Sequence, residues 1–452
     1  MPLRTSRTRL NLITAGTTSL ALLATACGGS SSPAPEFFSY LSVTENTTVQ
    51  NTLTTLSEGV CKAANDALPL KVETVPQASL DQKLQLLAGQ NALPAQFAAG
   101  NAPSLTQQLA ESGQVADLEH QLSLKALSDL EPAAVSTIEA LYGGKLEVLP
   151  YEYNIEGIFY NKEIFAEHGL DVPGTWEELV SAAAKLEGRG VQPFSASGQA
   201  GWPLTRMISG YLYRSLGPYA LEDVADGGAK LTDPEYVKAA EEVAALGKKG
   251  YFGKGVGSID YDTAMNQFLT GKAAMLYMGS WALANISDAK QNEVGVENVG
   301  FMAFPAVAGG RGSIDQYPSN VGLGVAFDAK SFDRKTSAWV TCIAEHYGAT
   351  ALEKHGAISG FKVNSEVKDA NEVTTQVRST ISASEQSVLW FEALFSTKAT
   401  TVSQTNAASL VGGSMSPKQF MQTVQDALDA RERPTGLHPH ARAAHHEAGC
   451  SI

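Results

Sequence analysis

The residues best equipped for chemistry in this 452-residue chain are tryptophans set beside planar polar groups. Trp281 follows Tyr277-Met278-Gly279-Ser280, where a glycine lets the backbone turn and brings a ring out from the end of an apolar run. Trp202 closes a Gly/Ser-rich stretch at 197–202, with Arg206 one helical turn beyond, and Trp390 stands in SVLWFEALF. The string Tyr151-Glu152-Tyr153-Asn154-Ile155-Glu156 interleaves tyrosines with carboxylates and an amide. Glu45 and Asn46 follow an extended run, Gly100-Asn101 pairs a small residue with an amide, and Asp262 and Asn320 stand alone. Rings offer flat apolar faces, while amides, carboxylates and guanidinium offer hydrogen bonds in a plane. A polyhydroxylated ligand, with C–H faces and hydroxyl edges, requires both. Each candidate also has a packing alternative: a core role for each Trp, helix caps for Glu45 and Asn46, and a helix anchor for Arg206.

Catalysis has less support. Carboxylates on one face of one strand sit side by side and do not flank a bond as a glycosidase pair must. No nucleophile elbow, phosphate loop, metal-spaced His/Cys cluster or dinucleotide fingerprint is present. The glycine-rich 253–257 reads as a loop. No enzyme, metal or cofactor is expected.

These residues need a frame, and the apolar patterning supplies one. Strands are expected at 37–43, 70–75, around Phe97, and at 148–160, 192–195, 273–278, 299–304 and 321–327. Helices are expected at 47–65, 80–89, 105–113, 122–138, 162–168, 176–187, 205–216, 233–248, 264–269, 337–347, 385–395 and 417–430. Asn161 should cap one helix, Gly169 should end it in a left-handed residue, and Thr175 should cap the next, with Glu177 and Glu178 against its dipole. Such alternation indicates an α/β fold.

Within that frame, Tyr160-Asn161-Lys162, Phe165, Gly169-Leu170, Pro173 and Thr175-Trp176-Glu177-Glu178-Leu179 resemble the signature of the family 1 extracellular solute-binding proteins, the maltodextrin-binding-protein-like sugar-capturing subunits of ABC importers. Phe268-Leu269-Thr270-Gly271-Lys272-Ala273-Ala274-Met275 with Gly279-Ser280-Trp281 resembles its second signature, and Gly201-Trp202-Pro203 stands where a Trp-Pro is common. The resemblance implies a two-lobed, type II periplasmic-binding-protein-like fold with a cleft between the lobes. Hinge crossings would fall near 149–150, 304–307 and 359–361. Lobe I would comprise 37–149 plus about 306–358, and lobe II 150–305 plus about 359–430.

It also implies roles. Trp281 would be the stacking residue of lobe II, Gly100-Asn101 would touch ligand from lobe I, and Trp390 would lie near it. Alternation sends Tyr151, Tyr153 and Ile155 to one side of their strand and Glu152, Asn154 and Glu156 to the other. Position in the family favours Asn154 and Glu156 as polar contacts, with Tyr153 kept as the aromatic candidate. The implied function is capture of a di- or trisaccharide by a monomer and its delivery to permease subunits. A polyol or glycerol phosphate is the alternative solute, although a phosphate wants a basic cluster and only Arg206 is offered. An extracellular glycan-active enzyme is the more distant rival. Cys61 and Cys342 fall on helical patterns that the resemblance puts in one lobe, either as a disulfide or as two buried thiols.

The ends of the chain point outward from the cell. Arg4, Arg7 and Arg9 precede a short apolar stretch at 10–24, and Leu23-Ala24-Thr25-Ala26-Cys27 resembles a lipobox with Ala24 where Leu is usual. Residues 1–27 then form a lipoprotein signal with Cys27 lipidated. The alternative is an ordinary secretory signal cleaved near Ala26. Residues 28–36 form a flexible tether, and the site of action is the outer face of the cytoplasmic membrane. Residues 431–452 carry His438, His440, His445 and His446 without a ligand framework and read as a disordered tail. A net charge of −14 disfavours nucleic acid and anionic membrane surfaces as partners.

Overall fold

The computed structural model describes residues 35–44, 47–100, 103–367, 370–384 and 388–430. Glu45, Asn46, Asn101, the signal with Cys27, residues 28–34 of the tether and the His-rich tail lie outside the described residues. Among the described residues the strands are β1 (Phe38–Val43), β2 (Leu70–Val75), β3 (Gln96–Ala98), β4 (Asn154–Asn161), β5 (Gln192–Ser195), β6 (Ala273–Gly279), β7 (Val299–Met302), β8 (Ser319–Asn320) and β9 (Val325–Phe327). They form two sheets. The first has the order β2-β1-β3-β9, parallel except for β9. The second has the order β5-β6-β4-β7, with β4 antiparallel to β6 and β7, and β8 pairing antiparallel with the start of β4.

The second sheet is covered on both faces, which explains why β4 and β6 read as nearly unbroken apolar runs. Alternate residues serve different cores. Phe159, Leu276, Met278 and Phe301 join the core that also underlies the first sheet. Ile158, Met275, Tyr277 and Met302 pack instead against the helix Trp202–Leu216 and its neighbours. Glu156 shares the parity of Ile158, so a carboxylate enters this second, mainly apolar layer.

Local signals hold where side chains satisfy helix ends. Asn161 accepts from the Ile164 backbone N–H, and Gly169 has φ +58°. Thr175 and Glu178 form a reciprocal capping box on Trp176–Glu187, worth about 1 kcal/mol.

Several expected elements differ. The strand expected from 148 begins only at Asn154, because Leu149 pairs with Val325 and Pro150, which has no N–H to donate, is followed by a tight bend. The single helix expected over 122–138 is two, Leu124–Ser128 and Pro132–Leu141, the first started by the Ser123 cap and the second by Pro132, with a further short helix, Leu118–Gln121, before them. The strand expected at 321–327 is mostly a turn, with Gly322 and Gly324 at positive φ, and only β9 is extended. The described part of the helix expected at 385–395 is a bridge at Val388 followed by turns. Helices Glu372–Ala383 and Thr397–Val411 lay outside the sequence reading.

A buried acid, Glu147, and a half-buried one, Glu222, give the fold a pH dependence. Burial pushes Glu147 and Glu222 up to about 7, and each has one carboxylate oxygen without a hydrogen-bond partner among the described residues. A carboxyl whose folded pKa lies above its unfolded value binds its proton more tightly when folded. Its stabilising contribution is full below about 4.5 and is lost as pH rises through about 7. Glu147→Gln and Glu222→Gln should therefore flatten the decline of Tm across that window. A profile identical to that of the parent protein would refute the assignment.

Candidate functional site

The helix Trp202–Leu216 presents its first turn to the site. Its N-cap is Gly201 at φ +73°, where an added Cβ would lie 1.9 Å from the carbonyl oxygen of Gln404. Only glycine fits there, and the close approach fixes the helix start against the helix Thr397–Val411. Trp202 and Arg206 are four residues apart and share one helix face. The Arg206 guanidinium lies 4.6 Å from the Trp202 ring centre, 5.8 Å from Trp281 and 5.7 Å from Trp390. Trp202 and Trp281 meet edge to face at 5.7 Å, and Tyr261 lies 6.3 Å from Trp202. At the end of β6, a side chain on Gly279 would collide with the Trp281 ring, so the glycine permits that ring position.

All three tryptophans are half-buried: each is anchored yet keeps ring surface in solvent. They flank a cation that is itself held from behind. Arg206 donates through Nη1 to Oε1 of Glu156, which is fully buried in β4, and the Tyr277 hydroxyl donates to Oε2 at 3.2 Å. Burial pushes the Glu156 pKa up, opposed by Arg206 and by hydrogen bonds from Tyr277 and Asn320. Glu392, two residues beyond Trp390, is also buried; it accepts from Thr205 on the Trp202 helix and from Ser403 at 3.0 Å. Its pKa is raised by burial and lowered in part by Arg206. One guanidinium thus serves two buried carboxylates.

A polar rim adjoins this cluster. Asn154 accepts from Ser280 Oγ at 3.1 Å and donates to Asn320 Oδ1 at 3.4 Å. Pairing of β8 with β4 brings those two amides together across 166 residues of sequence. Glu156, Trp202, Arg206, Trp281 and Trp390 therefore converge, with Asn154 and Asn320 beside them.

The remaining candidates are placed differently. Tyr153, just before β4, is completely buried and packs into the core on the side away from Glu156, so it does not join the tryptophan cluster. Asp262 is exposed in the first turn of the helix Tyr261–Leu269; its neighbour Tyr261 is the residue that reaches the ring cluster. Gly100 is buried just after β3.

The family model described as bacterial extracellular solute-binding protein matches residues 54–339, more than half of the chain. The chain belongs to this family. Among relatives of this solute-binding protein, the multiple sugar-binding protein of Streptococcus mutans serotype c is 31% identical over 177 residues, covering 37% of this chain and 40% of that one. The sn-glycerol-3-phosphate-binding periplasmic protein UgpB of Escherichia coli K12 is 31% identical over 234 residues, 47% of this chain and 51% of that one. The chain thus spans about half or less of the length of these curated relatives. A solved chitin oligosaccharide binding protein superposes with a TM-score of 0.72 at 25% identity, over 87% of this chain and 98% of that one. With further solved structures at TM-scores of 0.64–0.71, this establishes the two-lobed α/β, type II fold of the solute-binding proteins.

Three contributors to the site escaped the sequence reading. Tyr261 directly follows the helix cap Asp260, which accepts from Thr263 N–H, so the cap was the available signal for it. Glu392 is an acid inside an apolar run, a pattern that marks a buried polar contact without naming its partner. Tyr277 read as core, and it is core except for its hydroxyl.

Proposed function

We propose that this solute-binding protein is the capture subunit of an ABC importer and takes a neutral di- or trisaccharide between its lobes. Lobe I would be 37–149 plus about 306–358, and lobe II 150–305 plus about 359–430, with closure on the ligand presenting the loaded form to the permease. A monomer tethered through a lipidated Cys27 to the outer face of the cytoplasmic membrane completes the reading. The observation that carries it is the set of three half-exposed tryptophans around an arginine already neutralised by a buried glutamate. Rings supply stacking faces for sugar C–H groups, and the amides and guanidinium supply bonds for hydroxyls.

The relatives bear names of both a sugar binder and a glycerol phosphate binder. The charge at the cluster favours the neutral solute. Arg206 is its cation, and two buried carboxylates already draw on it. A phosphate would have to displace Glu156 from a strand interior.

A disaccharide has roughly 23 non-hydrogen atoms; at about 0.3 kcal/mol each this gives about 7 kcal/mol, or a Kd near ~10 μM. Trp281→Ala should weaken binding about five- to thirtyfold, since a lost stacking ring is worth about 1–2 kcal/mol. The fold should survive, because Trp281 packs at the edge of the core. Fluorescence titration with a maltodextrin and cello-oligosaccharide panel tests this. Unaltered affinity for a sugar that binds the parent protein would return Trp281 to a packing role.

A further inference from the structure

A cavity of about 460 Å³ lies away from the tryptophan cluster and shares no residue with it. Its walls come from the start of the helix Pro132–Leu141, the helix Arg334–His355, the segment 357–364 and the helix Glu372–Ala383. The segment runs beside the chain passages between the sheets: Leu130 pairs with Phe361, and the Tyr153 N–H donates to the Ile358 carbonyl at 3.2 Å.

The polar groups lining the cavity are mostly committed. Glu131 accepts from Ser382 Oγ at 3.2 Å, Lys362 donates to the Ser128 carbonyl at 2.8 Å, and Asn364 donates to Asp129 at 3.0 Å. Arg378 is the least committed. Its guanidinium is half-buried at the cavity wall; the Glu131 carboxylate favours its charge from a distance, but among the described residues it makes no hydrogen bond or close ion pair, so its donors are open. A partly desolvated guanidinium with open donors is costly unless an acceptor fills its planar fork. Carboxylate oxygens match that fork in pairs.

The walls select among anions. Leu352, Phe361 and Ile381 supply apolar surface, which suits a ligand with a hydrocarbon body. The Glu131 carboxylate in the same cavity disfavours a second negative charge, and so a phosphate. The volume falls within the range of small-molecule sites. We propose that this cavity is a second ligand site, taking a small monocarboxylate with an apolar or aromatic body, its carboxylate paired to Arg378 and its body against Leu352, Phe361 and Ile381.

Calorimetric titration of the full chain with 4-phenylbutyrate, its neutral amide and inorganic phosphate tests the assignment, with Arg378→Gln as the variant. The carboxylate should bind with a Kd between ~0.1 and ~5 mM, as expected for a ligand of about 12 non-hydrogen atoms. The amide and phosphate should bind at least about tenfold more weakly, and Arg378→Gln should lose a similar factor while melting at the parent temperature. No binding of 4-phenylbutyrate at ~10 mM, equal binding of carboxylate and amide, tighter binding of phosphate, or undiminished binding to Arg378→Gln would each overturn it.

Discussion

Replacing Arg206 with methionine should abolish high-affinity sugar binding and destabilise the fold together. The guanidinium is the hub of the site: three tryptophans surround it and Glu156 holds it from within the sheet. Methionine keeps much of the volume and removes the charge. Glu156 is then left fully buried with only neutral partners, a change that costs about 3–5 kcal/mol when one member of a buried pair is removed. In a chain of this length that corresponds to a loss of about 4–6 °C in Tm. The cost should depend on pH in a defined sense. The Glu156 pKa is already raised by burial, and losing Arg206 raises it further. Protonation then relieves the unpaired charge, so the variant should be nearest to the parent at low pH and fall behind as pH rises through the raised pKa.

The double variant Arg206→Met, Glu156→Gln should recover most of the lost stability, since no charge is left stranded. It should not recover binding, because the guanidinium donors are still missing and the rings have lost their spacer. Thermal melts and titrations on the two single variants and the double variant form the test. Restored binding in the double variant would show that Arg206 serves the fold alone.

The second large effect concerns the disulfide between Cys61 and Cys342. It joins the start of the helix Lys62–Ala67 to the helix Arg334–His355 across 281 residues of sequence. Cross-linking so long a loop restricts the unfolded chain by up to about 5 kcal/mol in the chain-entropy picture. Cys61→Ser with Cys342→Ser, or reduction of the parent protein, should therefore lower Tm by about 3–6 °C. Sugar affinity should change little, because neither cysteine belongs to the tryptophan cluster. A Tm indifferent to reductant would contradict this.

The parts legible in the sequence were those decided locally. Asn161 and Thr175 cap helices because their side chains reach backbone N–H groups three residues on, so spacing alone reveals them. Trp281 was legible because a glycine at the end of an apolar strand announces a turn. Other features depend on contacts that no local pattern encodes. Asn320 meets Asn154 only because β8 pairs with β4. The helix Thr397–Val411 was missed because its Thr- and Ser-rich sequence carries little apolar period, though Ser396 caps it and it holds Gly201 and Glu392 in place. The apolar run around Trp390 has the spacing of a helix and forms turns instead, because burial from several directions imitates an amphipathic stripe. Tyr153 carries a ligand-compatible ring in the right string, but burial of the side away from Glu156 is decided by packing with the first sheet's core, which no local pattern encodes.

The central claim is that the tryptophan cluster binds a neutral oligosaccharide. It is tested most directly by titrating the full chain with a panel of neutral di- and trisaccharides and with glycerol 3-phosphate, followed by calorimetry. At least one neutral sugar should bind with a Kd near or below ~10 μM, and glycerol 3-phosphate should bind at least about a hundredfold more weakly. Tight binding of glycerol 3-phosphate, with no response to any neutral sugar, would contradict the account.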